Sequence, residues 1–385
     1  MSRRPSVLAA TAAALALTLA AGPLAAPALA GSGRTPAACP AVSDRGPDIA
    51  ALTGELAALP DTEATSGTVR VGGRCSWSGA GGVRDVGSQA PALENGRFRA
   101  GSVTKVVTAA VVLRLVAEGR IRLDGTVQEY LPGLLTDAFE PITVRQLLNY
   151  TSGLKPGAAQ PGGTVDASYP HRFETVTPRE VVAASVAAGP EAGPGAVQRY
   201  GNIHYTVLGL LIEEVTGDSY AEQAEKRVFR PLGMRHSSFP SGADPRVRGP
   251  HNRGYDVIDG RLTDVTEWNM SDRFAAGDLI STTADLERLL KGLLGGRLLP
   301  APLLEEMLTV PEVEAGDARF GMGFERVTVG GVEFWGKSGS RPGYATGVAA
   351  TEDLARTVVY SVTSTDAKEV GGSVVQRFGF PALRP

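Results

Sequence analysis

Cysteine is nearly absent: Cys39 and Cys75 are the only two in 385 residues. Neither has metal-ligand spacing around it. The four histidines, His171, His204, His236 and His251, show no zinc pattern, so no metal and no other cofactor is expected. There is no Gly-x-Ser-x-Gly, which argues against an α/β-hydrolase triad built on a strand–turn–helix elbow. There is no run of basic residues either. The 38 Lys and Arg are mixed among 41 Asp and Glu for a net charge of −3, so nucleic acid is not an expected partner. Beyond the first thirty residues no apolar run approaches the length of a membrane span, and no internal repeat is visible.

What is present begins with a segment unlike the rest. Arg3 and Arg4 precede an Ala/Leu-rich stretch from Val7 to Ala21, and Ala28-Leu29-Ala30 precedes Gly31. A basic start, a short apolar core and a small-x-small end read as a secretory signal over residues 1–30. An N-terminal anchor helix is the alternative, and the short apolar core disfavours it. No cysteine follows to carry a lipid, so the expectation is a secreted protein with no membrane anchor once the signal is removed. Export places Cys39 and Cys75 in an oxidising compartment, where a bridge tying the mature N-terminus to an early strand is expected, against two free buried thiols.

Along the chain, residues 31–44 are polar and Pro-containing and read as an irregular lead-in. A helix is expected over 47–59, then strands Thr68–Val71 and Arg74–Ser78 turned by Gly72-Gly73. From Val103 to Glu118 the residues are apolar nearly all round, the mark of a buried helix, with Gly119 where a C-terminal glycine belongs. Further helices are expected at Val144–Leu148, Pro178–Ala188, Ile203–Thr216 and 284–294, with a long Gly/Pro-rich loop at 153–170. Strands return at Phe320–Val327, Val332–Trp335, Thr346–Ala350 and Thr357–Val362, and 367–379 could form a last helix. Strands therefore lie at both ends and helices in the middle. The economical architecture is an α/β sheet domain from 45–120 and 275–385, with a mostly helical domain, 121–274, inserted, and a cleft between them.

Three short patterns carry chemistry. Ser-x-x-Lys occurs at Ser102–Lys105 and again at Ser152–Lys155. The first opens the buried helix, so Lys105 lies one turn on from Ser102, and the helix N-terminus favours negative charge on the serine oxygen. A lysine kept from bulk water can lose its proton and act as base. The second runs into Gly153 and a loop, so nothing fixes Lys155 against Ser152, and it is discarded. Ser102 would serve equally as a helix N-cap. Tyr200-Gly201-Asn202 is the only Tyr-x-Asn in the chain. The tyrosine could shuttle a proton and the asparagine bind both Lys105 and a substrate carbonyl, or the two could be packing and an N-cap. Lys337-Ser338-Gly339-Ser340 follows the Val332–Trp335 strand. It offers a cation and hydroxyls for a carboxylate, and the N–H of Ser340 with that of Ser102 would make an oxyanion hole. An ordinary polar turn is the alternative.

In this order the three patterns are the active-site motifs of the penicillin-recognising serine enzymes. The phrases FRAGSVTK, ITVRQLLNYTSGL, RYGNIHYTVLGLLIEEVTG, AAGDLISTTADL and GKSGSRPGYATG resemble the branch that contains class C β-lactamases and exported D-Ala-D-Ala carboxypeptidases, over roughly 45–380. The resemblance implies a β-lactamase/transpeptidase-like fold, an antiparallel sheet flanked by helices with a helical domain. It implies Ser102 as nucleophile, Lys105 as its base, Tyr200 as proton relay and Asn202 as substrate-amide anchor. Lys337 and Ser338 would bind a carboxylate, with Gly339 allowing close approach and Ser340 supplying an oxyanion N–H. Two departures stand out. The carboxypeptidase relatives often have His where Lys337 stands, and no Glu-x-x-x-Asn loop is present, so deacylation would fall to Tyr200 and Lys105.

Arg326 and Arg341 flank the third motif and read as surface arginines before carboxylate-binding ones. Trp268 could wall the cleft or pack in the core, and His204 reads as structural. The expected function is D-alanyl-D-alanine carboxypeptidase acting on peptidoglycan stem peptides and acylated by β-lactams, as a monomer. A β-lactamase or broad esterase on the same scaffold is the second reading, and a non-catalytic wall-binding protein the third. Loops 153–170 and 240–275 would shape the cleft and choose the substrate.

Overall fold

A computed structural model describes residues 37–40, 46–157, 164–366 and 371–384. The secretory signal lies outside the described residues, as does the start of the lead-in. Twelve strands are found among the described residues: β1 Ala37–Ala38, β2 Ala64–Gly73, β3 Cys75–Asp85, β4 Ala90–Pro91, β5 Phe98–Arg99, β6 Tyr255–Ile258, β7 Arg261–Asp264, β8 Ile280–Ser281, β9 Glu325–Val329, β10 Val332–Arg341, β11 Tyr344–Ala350 and β12 Arg356–Ser364. The main sheet runs β1-β3-β2-β12-β11-β10-β9, with β4 on β3. Its five long strands are antiparallel, and only β1 is parallel to its neighbour. This is the sheet expected from the two ends of the chain, but β2 and β3 join at Arg74: Gly72 and Gly73, expected to turn, end β2 and pair with Thr357 and Arg356.

Two corrections concern its margins. The lead-in is not wholly irregular: Ala37–Ala38 pairs with Cys75–Ser76, and Cys39 bonds to Cys75 with sulfurs 2.02 Å apart. The expected bridge therefore clamps the first described strand to β3. The third motif does not follow its strand but lies inside it, because β10 continues to Arg341 by pairing with β11 from Trp335↔Ala350 to Arg341↔Tyr344. The polar letters Lys-Ser-Gly-Ser hide this extension, since the strand is held by main-chain bonds to β11.

Both faces of the sheet are covered. The Ile49–Ala57 helix, where Asp48 accepts from the Ala51 N–H as its cap, packs with the C-terminal Gly371–Leu383 segment against Val69, Val71, Val358 and Val362. One guanidinium fastens these two ends of the chain: Arg377 donates to Glu55, Asp61 and Glu63 at 2.7, 2.7 and 3.1 Å. On the opposite face the Thr283–Leu294 helix packs against β2, β11 and β12, capped by Thr282. Burial of such apolar faces stabilises a domain by about 25 cal/mol per Å².

The Thr104–Ala117 helix is the axis of the helical side. Every residue from Thr104 to Leu113 is buried, as its lack of a polar face requires, and Gly119 ends it at φ 71°. The Asn202–Thr216 helix packs across it. The helices at Val144–Leu148 and Pro178–Ala188 begin with capping boxes, Thr143 with Gln146 and Thr177 with Glu180. The region 153–170 contains a short helix, Val165–Ser168. The β6–β7 hairpin and the Ala301–Leu308 helix were not expected from the sequence. Among the described residues no helix is long and apolar enough to cross a membrane.

Candidate active site

Ser102 sits in a single 3-10 turn, Gly101–Val103, that leads into the buried helix. The helix cap is Val103, with no side-chain capping bond, so Ser102 is not an N-cap. Two straps hold this turn: the Ala100 N–H donates to the Leu279 carbonyl at 2.8 Å, and the Leu279 N–H to Thr104 Oγ1 at 3.0 Å. The other side of the turn meets β10 backbone to backbone. A Cβ on Gly339 would come within 2.1 Å of the Ala100 carbonyl and 3.0 Å of the Ser102 nitrogen, and one on Gly101 within 2.6 Å of the Ser340 nitrogen. Gly101 also takes φ 51°, open chiefly to glycine. Glycine at both places brings the Ser102 and Ser340 amides side by side.

Lys105 is fully buried, its Nζ 3.0 Å from Ser102 Oγ. It donates to Asn202 Oδ1 and to the Ala276 carbonyl, each at 2.7 Å. Burial pushes its pKa well below the usual lysine value, and Lys337, Arg273 and Arg341 nearby push the same way, against Asp278. Both influences favour loss of its proton. Three oxygens surround the nitrogen, those of Ser102, Asn202 and the Ala276 carbonyl. Asn202 thus spends its side chain on Lys105, while the helix cap is Gly201 with no side-chain bond.

Tyr200 stands over the pair. Burial of its hydroxyl end pushes its pKa up to about 12, while the nearby Ser102 side chain pulls the other way. Its ring lies tilted in an aromatic cradle, 5.0 Å from Tyr150 and 5.3 Å from Phe320. The nitrogens of Lys105 and Lys337 lie 5.0 and 4.8 Å from its centroid. Lys337 is buried and turned back on the Ser338 carbonyl at 2.8 Å; burial lowers its pKa to about 8. Its neighbours Ser338 and Ser340 are exposed. A cleft of about 440 Å³ joins Ser102, Tyr200, Ser338 and Ser340, walled by Tyr360, Val374 and Val375. β9 pairs with β10 only from Val332 to Gly336, so the Lys337–Arg341 stretch has no strand on that side among the described residues.

All three motifs therefore meet in one place. Four readings need correction or completion. Arg341 is not a surface arginine: it is 8% exposed and faces Asp272 across 4.0 Å, because alternation along β10 turns it with Lys337 toward the helical side. Arg326 is at the surface beside Glu333. Trp268 packs in a small core with Ile258, Val265 and Met270. Of the discarded quartet, Ser152 is buried against His204, while the Lys155 carbonyl accepts from Ser185.

Sequence reasoning missed the Tyr150 and Phe320 cradle, the Ala276 carbonyl and buried Asp278, whose pKa burial raises to about 7. Ala276 follows Ala275, which takes φ 56°. The Ala275 carbonyl accepts from Thr108 as that of Ala276 does from Lys105. A main-chain acceptor leaves no letter to find. Among the described residues no group of three His, Cys, Asp or Glu side chains could hold a metal.

The family profile described as Beta-lactamase matches residues 56–373. The chain belongs to this family. Within it, the chain is 32% identical to a D-stereospecific amidohydrolase from Streptomyces sp., with TM-score 0.74 over 86% of this chain and 99% of that one. A D-amino acid amidase from Ochrobactrum anthropi is 25% identical, with TM-score 0.73 over 87% and 97%. Among curated proteins, penicillin-binding protein 4 of Amycolatopsis lactamdurans is 32% identical over 54% of each chain. Esterase EstB of Burkholderia gladioli is 33% identical over 47% of this chain and 48% of its own. The chain spans about half the length of the curated relatives it matches. It has the β-lactamase fold, with the mixed sheet and flanking helices of that fold.

Proposed function

We propose that this protein is an exported serine hydrolase that cleaves the amide bond following a D-amino acid through an ester on Ser102. D-Alanyl-D-alanine stem peptides of the cell wall are its leading substrates. The observation that carries the reading is the buried Lys105 nitrogen 3.0 Å from Ser102 Oγ, held in place by Asn202 and the Ala276 carbonyl. Support for a D-configured substrate comes from the two solved relatives named above, one named a D-stereospecific amidohydrolase and the other a D-amino acid amidase. Export rests on the N-terminal segment, and the Cys39–Cys75 bridge agrees with it.

Ser102 Oγ attacks the substrate carbonyl while its proton passes to Lys105 Nζ. The oxyanion that forms accepts from the Ser102 and Ser340 amides. Tyr200, its pKa raised, still holds its proton at neutral pH and gives it to the leaving nitrogen; the Lys105 ammonium then restores it. The amine departs and the ester remains. Water enters, loses a proton to the same groups, and the acid leaves as Ser102 recovers its hydrogen. The Lys337–Arg341 stretch of β10 would line up the substrate, with Asn202 on its amide and Lys337 on a terminal carboxylate.

Release of D-Ala from diacetyl-Lys-D-Ala-D-Ala and of ammonia from D-phenylalanine amide, with and without Ser102→Ala, tests the proposal. Either product, lost in the variant, supports it, and their ratio ranks peptide against simple amide. If neither appears at high enzyme concentration, the amide reading is withdrawn. A second reading, esterase, is favoured by the likeness to EstB and would then be tested with short-chain p-nitrophenyl esters.

A further inference from the structure

His204 is 1% exposed, two residues beyond Asn202, and the mechanism above does not use it. Its Nε2 is 2.9 Å from the Arg199 carbonyl and its Nδ1 2.8 Å from Ser152 Oγ. A carbonyl only accepts, so Nε2 carries the hydrogen and Nδ1 accepts from the Ser152 hydroxyl. Ser152 Oγ in turn accepts from the Leu154 N–H at 3.2 Å. The chain is saturated in one direction, and it fixes a neutral imidazole.

What it holds is the residue before Tyr200. The Arg199 N–H donates to the Tyr150 carbonyl at 2.9 Å, and the Arg199 carbonyl receives His204, so both polar atoms of that peptide position are tied. The same segment is laced to 149–153 at Gly195 N to Thr151 O, 2.7 Å, and Gln198 Nε2 to Asn149 O, 2.9 Å. Gly201 would bring a Cβ to 3.1 Å from His204 Nε2, so the ring closes against the backbone between the two motif residues. Tyr150, which accepts from Arg199, also lies against Tyr200.

We infer that His204, backed by Ser152, is a positioning residue that sets the reach of the Tyr200 hydroxyl toward the leaving group. The inference rests on Tyr200 as the proton donor of the proposed reaction. An amide nitrogen must be protonated to leave, whereas p-nitrophenolate leaves without a proton. A misplaced Tyr200 therefore damages amide cleavage and spares the activated ester.

The test compares the wild-type protein with His204→Leu, His204→Gln and Ser152→Ala on D-phenylalanine amide and p-nitrophenyl acetate. Rates are divided by the fraction of Ser102 that a fluorophosphonate label modifies, counted by mass, so that poor folding of one variant does not enter. His204→Leu should lower kcat/KM for the amide about 10- to 100-fold and leave the ester within about 3-fold. His204→Gln, whose amide can still donate to the Arg199 carbonyl, should recover most of the amide rate, and Ser152→Ala should fall between. Equal losses on both substrates, or none on either, would overturn the inference while leaving the Ser102 chemistry intact. A wild-type protein that cleaves the ester but no amide removes the Tyr200 role and this inference with it.

Discussion

The chain spells Ser-x-x-Lys twice, and the two copies end in different states. At Ser102 the quartet runs into a helix, and its lysine is fully buried with three oxygens around it. At Ser152 the next residue, Gly153, takes φ 73°, the chain turns away, and the serine hydroxyl goes to His204 instead. Serine and lysine recur at the same spacing; what differs is whether the backbone between them is helical. A reactive pair needs the one-turn spacing and a dry site together, and only the first copy has both.

The strongest way to break the comparison is to remove each quartet in turn. Ser102→Ala and Lys105→Met should each lower hydrolysis by about 10⁴-fold or more, measured as kcat/KM on a D-amino acid amide. Lys155→Met should change it by less than about 2-fold; a large loss there would mean that the second quartet takes part in the chemistry. Next in size is Tyr200→Phe, expected to slow amide cleavage by about 10²- to 10⁴-fold, with less effect on an activated ester.

A smaller effect sharpens the comparison between Lys105 and the other buried lysine. Lys337 must be charged to attract a carboxylate, and its pKa lies near 8. As pH rises through that value, kcat/KM for a peptide with a free terminal carboxylate should fall relative to a neutral ester, and Lys337→Ala should abolish the difference. Parallel profiles in the wild-type protein would remove Lys337 from carboxylate recognition. On the acid side both substrates should fail together as Lys105 becomes protonated, since the base is needed for each.

The smallest expected effect is on stability, and it belongs to the second quartet. Burial lowers the His204 pKa to about 4, so the folded protein keeps it neutral while the unfolded chain protonates near 6.5. Its contribution is complete above pH 6.5 and is lost as pH falls through about 4, a span worth roughly 3 kcal/mol. Chemical denaturation at pH 7 and pH 4 should show that slope in the wild-type protein and a shallower one in His204→Leu. Equal slopes would mean that the imidazole titrates freely in the native state.

Much of this was legible beforehand, for identifiable reasons. The buried helix and its glycine stop and the exact limits of Pro178–Ala188 follow from local periodicity and capping. The three motifs stood out because side-chain chemistry needs particular letters. The remainder depended on main chain or on distance. The end of β10 is held by β11, the Lys105 acceptor is a carbonyl, and Phe320 reaches Tyr200 from a segment 120 residues away in the chain, brought there by Gln198, which accepts from the Arg319 and Phe320 amides. Arg341 misled because alternation along a strand places it only after the strand's true end is known.

The contact of Gly101 with Gly339 has a bearing on how such a protein can change. Where two main chains touch, any substitution at either glycine inserts the very atom that parts them. The joint admits no gradual adjustment, only its present fit or a gap. Adaptation to a new substrate is thereby shut out of this joint and left to the other residues that line the cleft, such as Ser338 and Val375. The rigidity of the middle rests, in this molecule, on two missing carbons.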